Sequence, residues 1–197
     1  MKKKRPKNHP KKGSSIKVEP IRDLKAIRTI KKLLAGHPRN YCLFVLGINT
    51  AFRAGDLLST TAGQVRDLGV GDHLEVREQK TGKLRRVTLN RAAVKAIQQL
   101  LGSREFKDDD FLFSGQRGRL SVSYVTRLVK GWCREINLKG RYASHTLRKT
   151  FGYHQRVTYG VALPILVELY GHATQRQTLD YLCVQDEEIR DVYMNEL

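Results

Sequence analysis

A chain of 197 residues can build one sizeable core with room for a small second subdomain, and 40% hydrophobic with 28% charged residues is ordinary for a folded soluble protein. Its charge is not ordinary: 37 Lys and Arg face 19 Asp and Glu, and removing the first 20 residues still leaves 29 bases against 18 acids, a body of +11 that fits an extended polyanion such as nucleic acid. The longest apolar run (41–48) is far too short to span a bilayer, and no signal peptide is visible, since the N-terminus is charged and lacks an apolar region.

In chain order, residues 1–17 hold Lys, Pro, Gly and Ser with almost nothing apolar, so a disordered basic arm is expected there, ahead of a folded body over 18–197. Pro20 suits the first turn of a helix, with Ile21, Leu24, Ile27, Ile30 and Leu34 following at helical spacing. Gly36-His37-Pro38 breaks it. Residues 41–50 read as a helix apolar all round, the centre of the fold, and a short helix follows over 56–61. The period then switches to two over 73–79 and 84–89, with Thr81-Gly82 between them: a hairpin with Lys80 and Lys83 at its tip. Helical patterns return at 91–101, 121–136, 144–158, 163–170, 175–183 and 186–195, interrupted by Asp108-Asp-Asp110, which reads as a loop, and a short 111–113 apolar run. The sum is a mostly α domain with a small antiparallel β-sheet, an α+β arrangement. The three cysteines (Cys42, Cys133, Cys183) are odd in number and scattered, which fits a reducing, cytoplasmic setting and neither a disulfide framework nor a zinc site.

The chemistry concentrates in the last third. His145 and Arg148 sit three apart on a helix and leave one face; an arginine fork binds two oxygens of a phosphate. Gly171-His172 follows, then Thr178-Leu-Asp-Tyr181, which places a potential nucleophile nine residues after the histidine. Upstream lie Phe52-Arg53-Ala54-Gly55-Asp56 and Gln79-Lys80-Thr81-Gly82. Taken singly, each has a bland reading: a capping histidine, a solvated arginine, one of eight tyrosines, a solubilising hairpin lysine. Their joint order outweighs those readings. A phosphate-binding loop at Gly82-Lys83 fails, since Leu84 replaces the required Ser or Thr.

These boxes resemble the tyrosine recombinase (phage integrase) family, over roughly Val18 to the C-terminus. The resemblance implies that family's catalytic-domain fold and a site-specific DNA recombinase or integrase that cleaves and rejoins strands through a covalent 3′-phosphotyrosyl intermediate. It implies Tyr181 as nucleophile, Arg53, Arg148 and His172 as stabilisers of the phosphorane, His145 as proton acceptor, and Lys80 as the acid for the leaving 5′-oxygen, with Lys83 its rival. Asp56 would hold Arg53 or cap its helix. No cofactor or metal is implied. Expected partners are double-stranded DNA, further copies of the chain on that DNA, with the segment after Tyr181 either docking on a neighbour or packing on its own domain, and accessory DNA-bending proteins; the expected location is cytoplasmic and nucleoid-associated. The Lys149 position commonly holds histidine in the family and the Tyr170 position leucine. Arg39-Asn-Tyr-Cys42 resembles the short Fim-type recombinases, and a solitary recombinase and a truncated integrase core fit equally. Arg85, Arg86, Arg117, Arg119, Arg127, Lys130 and Arg141 stand as further DNA contacts or as solvated charge. The runner-up readings are a DNA-binding architectural or regulatory protein of the same fold, and a type IB topoisomerase-like relaxing enzyme.

Overall fold

The computed structural model describes residues 17–79, 81–184, 190 and 193–196. Helix α1 (Leu24–Leu33) begins where the Asp23 carboxylate accepts from the Lys25 N–H, and it buries Ala26, Ile27 and Ile30. Pro20 and Ile21 are not in it. They belong to an extended strap whose Ile21 N–H donates to Thr150 Oγ1 and whose Ile21 carbonyl meets His154 Nε2. Those bonds to a distant helix satisfy the backbone that a first helical turn would have used.

Helix α2 (Pro38–Gly47) opens on its proline, so the residue expected to end one helix starts the next. It is buried from Cys42 to Gly47, and Gly47 admits the Leu147 side chain where a Cβ would stand 2.6 Å from its methyl. Helix α3 (Ala54–Leu58) starts two residues earlier than expected, immediately after Arg53. Strands β1 (His73–Arg77) and β2 (Leu84–Thr88) pair antiparallel with His73 opposite Thr88 and Arg77 opposite Leu84. Leu74 and Val76 point from β1 into the core, as the period of two requires. Helix α4 (Arg91–Leu101) is capped by Asn90 and packs on α2. A second, two-residue pairing, β3 (Ser114–Gly115) with β4 (Gly118–Arg119), is too short to leave an alternation in sequence. Helices α5 (Val122–Glu135), α6 (Ser144–Val157), α7 (Leu163–Tyr170) and α8 (Gln175–Leu182) complete the set. The described residues are thus mostly helical with two small antiparallel sheets. The Asp108-Asp-Asp110 stretch is a loop, tied down by Arg66 on the Asp108 carboxylate and by the Lys107 N–H on that of Asp110. The expected helix over 186–195 and the arm over 1–17 both lie largely outside the described residues. Among the described residues no helix is long and apolar enough to cross a membrane.

Two apolar clusters meet along α6. The larger gathers α1, α2, α4, α5 and the inner face of the hairpin and includes Leu147; the smaller joins Tyr153 to Ala51, Leu166, Tyr170, Leu182 and Val184 under α7 and α8. Gly152 lets the smaller cluster close, because a Cβ there would overlap the Tyr170 hydroxyl and the Leu182 side chain. Gly152→Ala is therefore expected to cost about 1–3 kcal/mol and to lower the thermal midpoint by several degrees. An unchanged midpoint would mean that α7 and α8 shift aside freely.

Candidate active site

The site forms on the seam between the two clusters. Arg148 projects from α6 and is only 3% exposed. One guanidinium nitrogen donates to the Tyr170 carbonyl at 3.3 Å, and the plane lies 4.7 Å from the Tyr170 ring centroid. The Tyr170 hydroxyl donates back to the Arg148 carbonyl at 2.7 Å, locking α7 to α6. His145, one turn earlier, reaches solvent. Partial desolvation of its ring, and then the charges of Arg148, Lys149 and Arg53, hold its pKa below the ordinary histidine value.

Helix α7 ends at Gly171 in the left-handed conformation (φ 63°), where a side chain would be strained. The turn delivers His172, whose Nδ1 lies 2.9 Å from the buried Thr178 hydroxyl on α8. In the tautomer where Thr178 donates this bond, Nε2 carries the ring hydrogen and can donate. Burial, then Arg148 and Arg53, lower the His172 pKa. Tyr181 follows one turn after Thr178. Its ring centroid is 5.2 Å from that of His172 and 5.3 Å from that of Tyr170, and the Lys149 ammonium sits 4.9 Å from it. Burial raises the Tyr181 pKa, while Arg148 and Arg53 pull it down. Its hydroxyl and Arg148 Nη1 are both buried, and a hydrogen bond from Arg148, too poorly aligned to be a strong one, adds to the downward pull.

Arg53 enters from the start of α3. Its Nη1 is 2.6 Å from Glu78 and 3.7 Å from Asp56. Asp56 instead turns its other oxygen to the Gln79 N–H at 2.9 Å, so its main task is to pin the hairpin loop beside Arg53. Lys80 itself lies outside the described residues; the chain leaves for it at Gln79 and returns at Thr81, whose hydroxyl donates to Glu78. Lys83 is exposed, and its carbonyl closes the loop by accepting from the Glu78 N–H. Arg53, His145, Arg148, His172 and Tyr181 therefore converge, since the two arginine charges act on both histidines and the tyrosine.

The phage integrase family model matches residues 22–188, most of the chain. The chain belongs to the phage integrase family. The probable integrase/recombinase YoeC of Bacillus subtilis is 33% identical over 181 residues, covering 89% of this chain and 95% of that protein. The tyrosine recombinase XerC of Pelobacter propionicus is 33% identical over 149 residues, 74% of this chain but only 49% of its own length. Among solved structures, that of the XerA recombinase superposes with a TM-score of 0.72 at 22% identity, over 89% of this chain and 65% of that one. The XerH recombinase in a post-cleavage complex with a palindromic difH substrate gives 0.69 at 17%, over 90% and 53%. The chain thus spans about half to two thirds of these longer relatives, and the structural likeness shows the fold alone.

Within this integrase fold, four residues that sequence reasoning passed over touch the site. Tyr170 and Lys149 read as departures from the family pattern; the structure puts the first against Arg148 and the second against Tyr181. Glu78 carried no motif signal. Arg85, read as a DNA contact or solvated charge, is tied into the protein: it donates to Glu78 at 3.2 Å and to the Leu169 carbonyl. Arg86 is paired with Glu75 on the exposed face of the hairpin.

Proposed function

We propose that this chain is a site-specific DNA recombinase whose Tyr181 attacks a backbone phosphodiester. The observation that carries the reading is the buried Tyr181 hydroxyl set against Arg148, which acts on it through charge and a hydrogen bond, in one site with Arg53 and His172. A nucleophile and cationic N–H groups at one point are what an oxyanion-bearing electrophile requires. In the step, the Tyr181 oxygen bonds to phosphorus, the bond to the 5′-oxygen breaks, and the tyrosine is left on the 3′-phosphate. Arg53, Arg148 and His172 donate to the non-bridging oxygens, each contributing about 3–5 kcal/mol in comparable sites. Burial keeps Tyr181 protonated at neutral pH, so the attack needs a proton acceptor, and neutral His145 fills that role. Lys80 protonates the departing 5′-oxygen. A 5′-hydroxyl from a second duplex reverses the step and exchanges strands, which calls for several protomers on the DNA. The basic body supplies affinity through phosphate contacts, and hence a strong salt dependence.

The deciding experiment incubates the protein with nicked suicide duplexes and looks for a denaturant-resistant 3′-phosphotyrosyl adduct. No adduct on any competent DNA would return the chain to a binding role. The pH profile carries a second expectation. Because its environment lowers the His145 pKa from 6.5, the neutral base persists further into acid than free imidazole. Cleavage should therefore hold below pH 6.5 before falling, and His145→Gln should remove that acid limb.

A further inference from the structure

Glu78 stands buried at the end of β1, 7% exposed, and the chemistry above does not use it. One carboxylate oxygen lies 2.6 Å from Arg53 and 3.2 Å from Arg85, and the other accepts from Thr81 at 2.7 Å. Burial pushes its pKa up, but the Thr81 hydrogen bond and the two arginines more than offset this, so the carboxyl is held below its ordinary range and stays ionised. Arg85, on β2, spends its far nitrogen on the Leu169 carbonyl in the last turn of α7, just ahead of Gly171-His172. A continuous ionic brace therefore runs from Arg53 through Glu78 and Arg85 to the turn that carries His172.

A negative charge beside a phosphate-binding arginine opposes the phosphate, so its electrostatic effect on binding is unfavourable. Its benefit is orientation. Arg53 is a long side chain with 29% of its surface exposed, and Asp56 at 3.7 Å holds it weakly. A carboxylate fixing one edge of the guanidinium leaves the other edge set for the substrate. Without it, two neighbouring cations would repel and part. We propose that Glu78 is a positioning residue: its carboxylate orients Arg53 on the scissile phosphate and, through Arg85, keeps the His172 turn in register with it. The inference rests on the strand-transfer reading.

A double-mutant cycle tests it, on suicide DNA in which sulfur replaces the bridging 5′-oxygen at the scissile phosphate. Sulfur leaves as a thiolate without a donated proton, so Lys80 is not limiting and slow variants stay measurable. At saturating DNA, Glu78→Gln should slow single-turnover adduct formation about 100-fold, the scale of a misplaced reacting group. Arg53→Ala should slow it about 1,000-fold, and the double variant should lose clearly less than the roughly 10⁵-fold product of the two, the remainder being the arm through Arg85. Glu78→Asp, which keeps the charge and shortens its reach, should show the same non-additivity and keeps the test open if the Gln variant fails to fold. A wild-type rate in Glu78→Gln, or losses that multiply in the double variant, would overturn the inference alone. A wild-type protein that makes no adduct would sink the strand-transfer reading and this inference with it.

Discussion

Replacing Tyr181 by phenylalanine should abolish covalent adduct formation while leaving the fold as stable as before. The stability half follows from the hydroxyl's surroundings: its neighbour Arg148 keeps its own bond to the Tyr170 carbonyl when the hydroxyl goes, so its removal strands little. The ring keeps its packing on His172 and Tyr170 and its contact with Lys149. The thermal midpoint should stay put or rise slightly. The activity half follows from the loss of the attacking atom, with a rate drop of about 10⁴-fold or more, as for other removed nucleophiles. Tyr170 cannot substitute, although its ring is adjacent. Its hydroxyl is committed to the Arg148 carbonyl, and burial pushes its pKa well above the ordinary tyrosine range. A persistent adduct in Tyr181→Phe, read on a denaturing gel with a thermal melt as the control, would mean that another residue attacks.

What could be read in the chain before folding was whatever is local. Helices α4 and α7 have the bounds their apolar spacing predicts, helped by the Asn90 cap and by Pro164 in the first turn of α7. His145 with Arg148, and His172 with Thr178 and Tyr181, were legible because each set lies within one helix or across one tight turn. The start of α1 was not, because the groups that draw Ile21 out of the helix are Thr150 and His154, 129 and 133 residues away. The same holds for the brace. Glu78 meets Arg53 from another element and Arg85 from the paired strand, and Arg85 reaches Leu169 across 84 residues. No window along the sequence contains that arrangement. Tyr170 shows the limit of pattern matching, since a mismatch to the family turns out to hold the Arg148 backbone.

Arg148→Lys is the sharper probe of the clamp, because it keeps the charge and removes the fork. Arg148 uses one nitrogen on the Tyr170 carbonyl and lies over the Tyr170 ring, while its charge and a hydrogen bond also act on Tyr181. A lysine ammonium is a single point that cannot hold the carbonyl and also present paired N–H groups to a phosphate. Its charge is also less secure. Burial lowers the Arg148 pKa, with Arg85 and Arg53 adding to the fall and Tyr181 and Tyr170 opposing it. Arginine tolerates this because its starting value is so high; a lysine, beginning near 10.4, would be pushed toward the neutral amine. Adduct formation should therefore fall about 10²–10³-fold, whereas DNA affinity, spread over many phosphate contacts, should change little. Lowering the pH to recharge the lysine should recover only a small part of the rate, since protonation restores the charge but not the geometry. A variant within tenfold of wild type at its best pH would mean that Arg148 acts as a point charge, and the case for a two-pronged grip on the phosphate would then rest on Arg53.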